Sequence, residues 1–352
     1  MTDGIKLDVY ITEQALNYII VFDDKYPNLN KIFGSKLCNL YVNLSQDEIY
    51  EKVEDLEGDL NAFLKSNDLP IPKSCPEAFD DLEKYGLADL DRTNPRSIFI
   101  ISRKKEDALK LQKMYGLIIE SEDSIDDNMF DIQYMKAFDK NDIIDKNNND
   151  GWDALFKDFV FPPMNAIVVA DEHLMDNSTK RDGNIGHANI KSMLSAILPT
   201  DYNKVFDIAV LTGKSVSKAK KMADELWQFV HQIRSYKFNL EIIYSESTHK
   251  RGVYSNYFII VCDKGFKLFW PMTAESYDDN DISVESIFND LRFRGDSNMQ
   301  LSDRRLMQLN KSYEEACIQN ERIANSDVKV FRYNDGKPEK NRLLAMFDRR
   351  DS

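Results

Sequence analysis

The chain has few of the residues that usually announce a cofactor or a metal. Its 352 residues include only four histidines and four cysteines. Cys38, Cys75, Cys262 and Cys317 are far apart, with no CxxC pair and no histidine at metal-ligand spacing. That pattern excludes a zinc cluster or a disulfide framework built on them and predicts reduced thiols, Cys262 within a buried strand. Glycine is sparse, and no Gly-x4-Gly-Lys-Ser/Thr or Gly-x-Gly-x2-Gly series occurs, so neither a P-loop nor a standard dinucleotide site is supported. A Gly-x-Ser-x-Gly nucleophile elbow is also missing. No cofactor is expected. No apolar run approaches the roughly 20 residues needed to cross a bilayer, and Met-Thr-Asp-Gly is not a basic, hydrophobic signal. A cytoplasmic protein with no transmembrane segment is the expectation. No internal repeat is found.

Positive charge is also in short supply, and its distribution matters more than the net −14. Residues 1–178 hold 19 Lys/Arg against 36 Asp/Glu, whereas residues 179–264 hold 13 against 8. A basic island of +5 thus sits in a chain whose first half carries −17. An acidic chain is a poor non-specific binder of nucleic acid, because long-range attraction to phosphate is lacking. A local basic face can still select an anionic partner, nucleic acid included, although Lys214, Lys218, Lys220 and Lys221 also suit a plain solvated helix start.

What is present is the composition of a folded protein. Hydrophobic residues make up 42% and aromatics 11%, which is globular rather than disordered, and the length suffices for two domains, each with its own core. The polar, amide-rich run from Lys140 to Gly151 marks the expected boundary: a small acidic α/β domain over 1–139, a linker over 140–155 and a second α/β domain over 156–352. In the first half, Lys6–Ile11, Leu40–Leu44, Ser97–Ser102 and Gly116–Glu120 read as strands. Glu13–Phe22 and Lys105–Tyr115 read as helices, the latter inside a β-α-β unit. Ser45 with Glu48 forms a capping-box pattern that opens a helix toward Lys65. Leu69–Pro76 is a proline-punctuated loop.

The second half carries the chemistry. Lys204–Thr212 reads as a buried strand. Ser217–Ser235 follows as a helix, with Ala219, Met222, Ala223, Leu226, Trp227, Val230 and Ile233 spaced three and four apart. Asn239–Tyr244 is a second strand, and Ser245-Glu-Ser-Thr leads into His249-Lys250-Arg251-Gly252-Val253-Tyr254-Ser255-Asn256. A third strand over Tyr257–Cys262, a turn at Asp263–Gly265 and a fourth strand over Phe266–Trp270 complete the region. α/β packing of this kind would place the motif at a sheet edge or mouth. Downstream, Ser302–Ala324 reads as an amphipathic helix. Val328–Tyr333 alternates as a terminal strand, either an ordered edge of the second domain or a partner-binding tail.

Across roughly residues 160–272 this order resembles the phospholipase-D superfamily, whose intact motif is His-x-Lys-x4-Asp. The variant His-x-Arg-x4-Asn is most similar to a subgroup at the C-terminus of eukaryotic MIT-domain trafficking proteins, with scattered bacterial relatives. His249, Arg251, Asn256, Gly265, Phe266 and Phe269 fit that subgroup, with Asn165–Asp171 as its first strand and Ala188–Leu198 as its first helix. The resemblance implies a mixed sheet flanked by helices. In the intact motif the histidine attacks phosphorus and the lysine neutralises phosphoryl oxygens. His249 and Arg251, with Lys250 beside them, retain groups that grip phosphate, whereas Asn256 can neither carry charge nor take a proton. The resemblance therefore implies a non-catalytic recognition or scaffold module for a phosphate-bearing ligand or a protein partner. Bacterial relatives of this kind are associated with defence.

Two further readings stay open. In one, His249 is the nucleophile of a phosphodiesterase or nuclease that works as a homodimer, as single-motif members are implied to do. In the other, acids of the first half (Asp8, Asp23, Asp24, Asp80, Asp81, Asp123, Asp126 and Asp127) build a metal-dependent nuclease, although no spacing nominates a set. Asp171-Glu172-His173, at the expected end of a strand, are candidate auxiliary groups for His249 or else a helix cap and loop. His187 reads as a turn or helix-start residue and His231 as a residue of the helix surface.

Overall fold

The computed structural model describes residues 7–34, 38–79, 94–138, 151–175, 185–213, 219–245, 251–262, 265–266, 269–270, 275–276, 280–289, 298–322 and 328–348. The chain is α/β with two principal sheets, and it divides into two compact units, Met1–Ile132 with Phe288–Gln300, and Gln133–Ile287 with Leu301–Ser352. Among the described residues, no helix is long and apolar enough to cross a membrane.

In the first unit, strands β1 (Leu7–Ile11), β2 (Cys38–Val42), β3 (Lys73–Ser74), β4 (Ser97–Ile101) and β5 (Ile118–Ser121) form a parallel sheet in the order β3-β2-β1-β4-β5. All five residues of β4 are buried, as expected for the inner strand of a parallel sheet covered on both faces. Helix α1 (Glu13–Val21) is capped by Thr12, and α2 (Pro27–Gly34) receives its cap from Asp127, whose carboxylate accepts the Asn28 and Leu29 N–H groups at 3.0 and 2.9 Å. The Ser45/Glu48 capping box forms and opens α3 (Gln46–Glu54). That helix does not run on to Lys65. It ends at Asp55, and α4 (Asp59–Ser66) starts afresh after Gly58. Glu51, Glu54, Asp55 and Glu57 crowd a helix C-terminus, where the macrodipole disfavours negative charge. Helix α5 (Lys105–Tyr115) ends on Gly116 in the left-handed region, with φ 61°.

The second unit holds β6 (Gln133–Phe138), α6 (Trp152–Phe156), β7 (Ala166–Ala170), α7 (Ile185–Ile197), β8 (Val205–Thr212), α8 (Ala219–Ile233) and β9 (Lys237–Tyr244). Then come β10 (Gly252–Ser255), β11 (Phe258–Cys262), the two-residue pair β12 (Phe269–Trp270) and β13 (Glu275–Ser276), and β14 (Asn280–Ser286). Most of α9 (Asn298–Arg322), then β15 (Val330–Asn334) and α10 (Arg342–Ala345), end the unit. The mixed eight-stranded sheet runs β15-β9-β8-β7-β10-β11-β14-β6, with β7, β8 and β9 parallel and the remaining pairings antiparallel. Strand β6 lies before the polar run 140–151, yet it hydrogen-bonds to β14, so this unit begins ahead of that run. Strand β10 is not an outer strand, since it stands between β7 and β11.

Alternation along the strands sorts the two faces. Ile167, Val169, Phe206, Ile208, Val210, Phe238, Leu240, Ile242 and Val253 join the large core with α7 and α8, which buries Ala219, Met222, Ala223, Leu226 and Val230. Arg234 donates to the carbonyls of Ser195, Leu198, Pro199 and Ile233, tying off the ends of both helices. The alternate positions Asp207, Asn239 and Glu241 meet the chain's end. Glu241 is buried and accepts from Tyr313 Oη at 2.7 Å, Arg332 Nε at 3.2 Å and Asn341 N at 2.9 Å. The terminal segment is therefore an ordered edge of the sheet, with β15 paired along β9.

Candidate functional site

Strands β7, β8 and β9 run out at one edge, where their following residues are laced together. Asp171 N donates to Leu211 O, Gly213 N to Glu172 O and Ser245 N to Thr212 O, at 3.1, 2.9 and 2.9 Å. The carboxyl ends of parallel strands are where open α/β sheets place ligands. Asp171 organises this edge from a buried position: Oδ1 accepts His173 N at 2.8 Å and Oδ2 accepts Phe266 N at 2.9 Å. With both oxygens engaged by backbone, Asp171 is a turn-forming group rather than an auxiliary acid or base. Glu172 is exposed and His173 half-buried.

Arg251 immediately precedes β10, and Gly252 pairs with Ala170 at the end of β7. Its side chain therefore starts at the carboxyl edge. It lies against Gly265, which adopts φ 88°; a Cβ there would stand 2.6 Å from Asp171 Oδ2 and 3.2 Å from Arg251 Cδ and Nε. Only glycine suits such a position, on both backbone and space. Arg251 is half-buried, and among the described residues its guanidinium has no hydrogen-bond or ion-pair partner. His249 and Lys250 lie outside the described residues.

Asn256 sits elsewhere. It follows β10 at the opposite end, roughly 16 Å from Arg251 at the usual strand rise. The side chain is wholly buried: Oδ1 accepts Asn165 N at 3.0 Å and Ala166 N at 3.3 Å, and Nδ2 donates to Asn165 Oδ1 at 2.8 Å. Asn256 is therefore a staple between the β10–β11 turn and the start of β7. It does not line a pocket with Arg251, because the whole length of β10 separates them and its amide is already engaged.

Two residues at the carboxyl edge had no sequence signal as a pair. Tyr254 lies over Gly252, where a Cβ would come within 2.5 Å of the phenol oxygen and 2.7 Å of Cζ. Its hydroxyl thus returns to the beginning of β10, and Arg305 Nη1 of α9 approaches it at 3.5 Å. Burial pushes the Tyr254 phenol up, while the nearby guanidinium opposes that shift. Gly252 and Tyr254 at i and i+2 hinted at a strand face, but Arg305 is 51 positions away.

The remaining candidates have structural posts. Asp126 caps the turn at Asn128, Asp127 caps α2, and Asp8 accepts from Asn39 Nδ2 at 2.9 Å. Among the described residues, no group of three or more His, Cys, Asp or Glu side chains could hold a metal ion; Asp80 and Asp81 lie outside them. His187 is buried and donates to Met222 O at 3.0 Å, and burial lowers its pKa to about 4. His231 contacts Trp227 O at 3.0 Å and Asp335 Oδ2 at 2.9 Å on the α8 surface. Glu120 is buried on β5, which raises its pKa to about 7. No protein-family model matches the chain, and no curated protein matches it.

Proposed function

We propose that the second unit is a phospholipase-D-like recognition module that binds a phosphate-bearing ligand, free or carried by a protein partner, without cleaving it. One observation carries this reading. Arg251 holds a half-buried guanidinium with no hydrogen-bond or ion-pair partner among the described residues, the nearby Asp171 carboxylate being engaged by backbone N–H groups, at the carboxyl ends of three parallel strands. Desolvating a charge without a partner is costly, so such a group is tolerated where an anion completes it. Guanidinium donors match phosphoryl oxygens in number and geometry. The local excess of Lys/Arg over residues 179–264 favours the same ligand sign.

The test is calorimetric titration of the full-length protein with inorganic phosphate, wild type against Arg251→Ala. Binding that weakens with salt and falls about tenfold in the variant supports the module, the size expected for one charge-assisted contact. Equal affinity of both proteins would overturn it. A parallel turnover assay on a generic phosphodiester separates the enzymatic alternative. Metal-independent hydrolysis abolished by His249→Ala would make His249 a nucleophile and replace the present reading.

A further inference from the structure

Four arginines of the second unit are half-buried among the described residues: Arg234, Arg251, Arg305 and Arg342. Two are fully engaged. Arg234 grips four backbone carbonyls, and Arg342 donates through Nε to Asp207 Oδ2 at 2.9 Å and through Nη2 to Val205 O at 2.9 Å. Arg305 has a single long contact, to the Tyr254 hydroxyl at 3.5 Å, and like Arg251 it makes no ion pair among the described residues. In a chain with 60 Asp/Glu, two half-buried cations that make no direct ion pair among the described residues at one strand end are a specific departure.

Both lie near Gly252. Arg251 is the residue before Gly252, and Arg305 reaches Gly252 through the Tyr254 ring that covers it. They come from different sides. Arg251 packs on Gly265, next to Phe266, whose ring belongs to the Val253 face of the sheet. Tyr254, one residue on from Val253, projects from the opposite face, toward α9. The backbone of β10 stands between the two guanidiniums, and a layer packed on a sheet stands about 10 Å from it. One tetrahedral phosphate is too small to meet both.

We propose that Arg305 and the Tyr254 hydroxyl form a second anion-contacting half of this site, so that the ligand is an elongated phosphate chain laid over the sheet edge rather than a single phosphate. The proposal rests on the reading of Arg251 as a phosphate contact. Burial keeps the Tyr254 phenol protonated at neutral pH, so it remains a donor to such a ligand.

The experiment is calorimetry of the full-length protein with inorganic orthophosphate and with inorganic tripolyphosphate. Wild type is compared with Arg251→Ala, Arg305→Ala, Arg305→Lys and Tyr254→Phe, each checked for an unchanged thermal melt. Wild type should bind tripolyphosphate about tenfold more tightly than orthophosphate, the value of one further charge-assisted contact. Arg305→Ala should erase that preference and leave orthophosphate binding within about twofold, and Tyr254→Phe should erase part of it. Arg251→Ala should weaken both anions. If Arg305→Ala does not fold, loss of the preference in Arg305→Lys and Tyr254→Phe supports the same conclusion. A preference that survives the Arg305 and Tyr254 substitutions overturns the second half-site and leaves Arg251 standing. Wild type that binds neither anion removes both.

Discussion

At the amino ends of β7, β8 and β9 the polar groups close on one another, whereas at the carboxyl ends two guanidiniums make no ion pair among the described residues. The closed end is held by Asn256 on Asn165, Arg342 on Asp207, Asn341 Nδ2 on Ile167 O at 3.0 Å, and Asn239 Nδ2 on Glu339 O at 2.5 Å. Each buried donor there has an acceptor in a different element, so these groups fix strand register and bind the chain's end to the sheet. The open end has a well-ordered frame in Asp171, Thr212 and Gly265, but Arg251 and Arg305 contribute nothing evident to that frame. The same three strands thus carry a closed, stabilising end and the end proposed to bind, and substitutions should separate the two.

The largest effect is expected at Glu241. Glu241→Ala leaves the Asn341 N–H and Tyr313 Oη without their buried acceptor and should cost about 3–5 kcal/mol, the range for breaking a buried charged network. Chemical denaturation would show it, and hydrogen exchange should show β15 loosened; a loss under about 1 kcal/mol would mean that the closed end is not the stabilising one.

Next comes Asn256→Asp, which installs the acid that the intact phospholipase-D motif carries at the corresponding spacing. A carboxylate keeps the contacts from Asn165 N and Ala166 N but turns the Asn165 Oδ1 contact into two facing acceptors, at a fully buried site. A destabilisation of about 2–3 kcal/mol is expected, with no gain of phosphodiesterase turnover. An equally stable or newly active variant would refute the assignment of Asn256 as a staple.

His187 supplies a pH-dependent test. Its folded pKa lies below the ordinary histidine value, so the unfolded chain binds more protons between pH 6.5 and 4, and stability is lost as pH falls through that window. Relative to a His187→Gln variant, wild type should lose about 2 kcal/mol between pH 7 and pH 5. Parallel pH curves for the two proteins would contradict the buried neutral imidazole.

The smallest stability effects belong to the open end. Arg251→Ala and Arg305→Ala should each change unfolding free energy by less than about 0.5 kcal/mol, or raise it, because no acid loses a partner. A loss above about 2 kcal/mol for either would place that arginine in the structural frame instead.

Legibility in the sequence followed the range of the interaction. The strands over 205–212 and 237–244 and the helix between them were readable because apolar runs and three-and-four spacing are local signals. Strand β6 was not: its outward positions include Met135, 75% exposed, so apolar and polar residues do not sort by face along it. β10 was hidden inside a motif read for its chemistry. The role of Asn256 depended on Asn165, 91 positions away, and that of Arg305 on Tyr254, so neither could be read from its own neighbourhood. The His-x-Arg-x4-Asn spacing looked like one site, yet in an extended strand five residues are a distance rather than a cluster.

The return of Phe288–Gln300 to the first unit has a bearing on how the protein is made. Phe288 packs edge-on against Phe130 with ring centres 5.8 Å apart, and Asn289 Nδ2 donates to Ile132 O at 3.3 Å. A ribosome that has released all five strands of the first sheet must still synthesise more than 150 further residues before that unit has its last segment. Strand β6 likewise waits for β14, and β9 waits for β15. During vectorial synthesis the first unit therefore receives its last segment only after most of the second unit has been made.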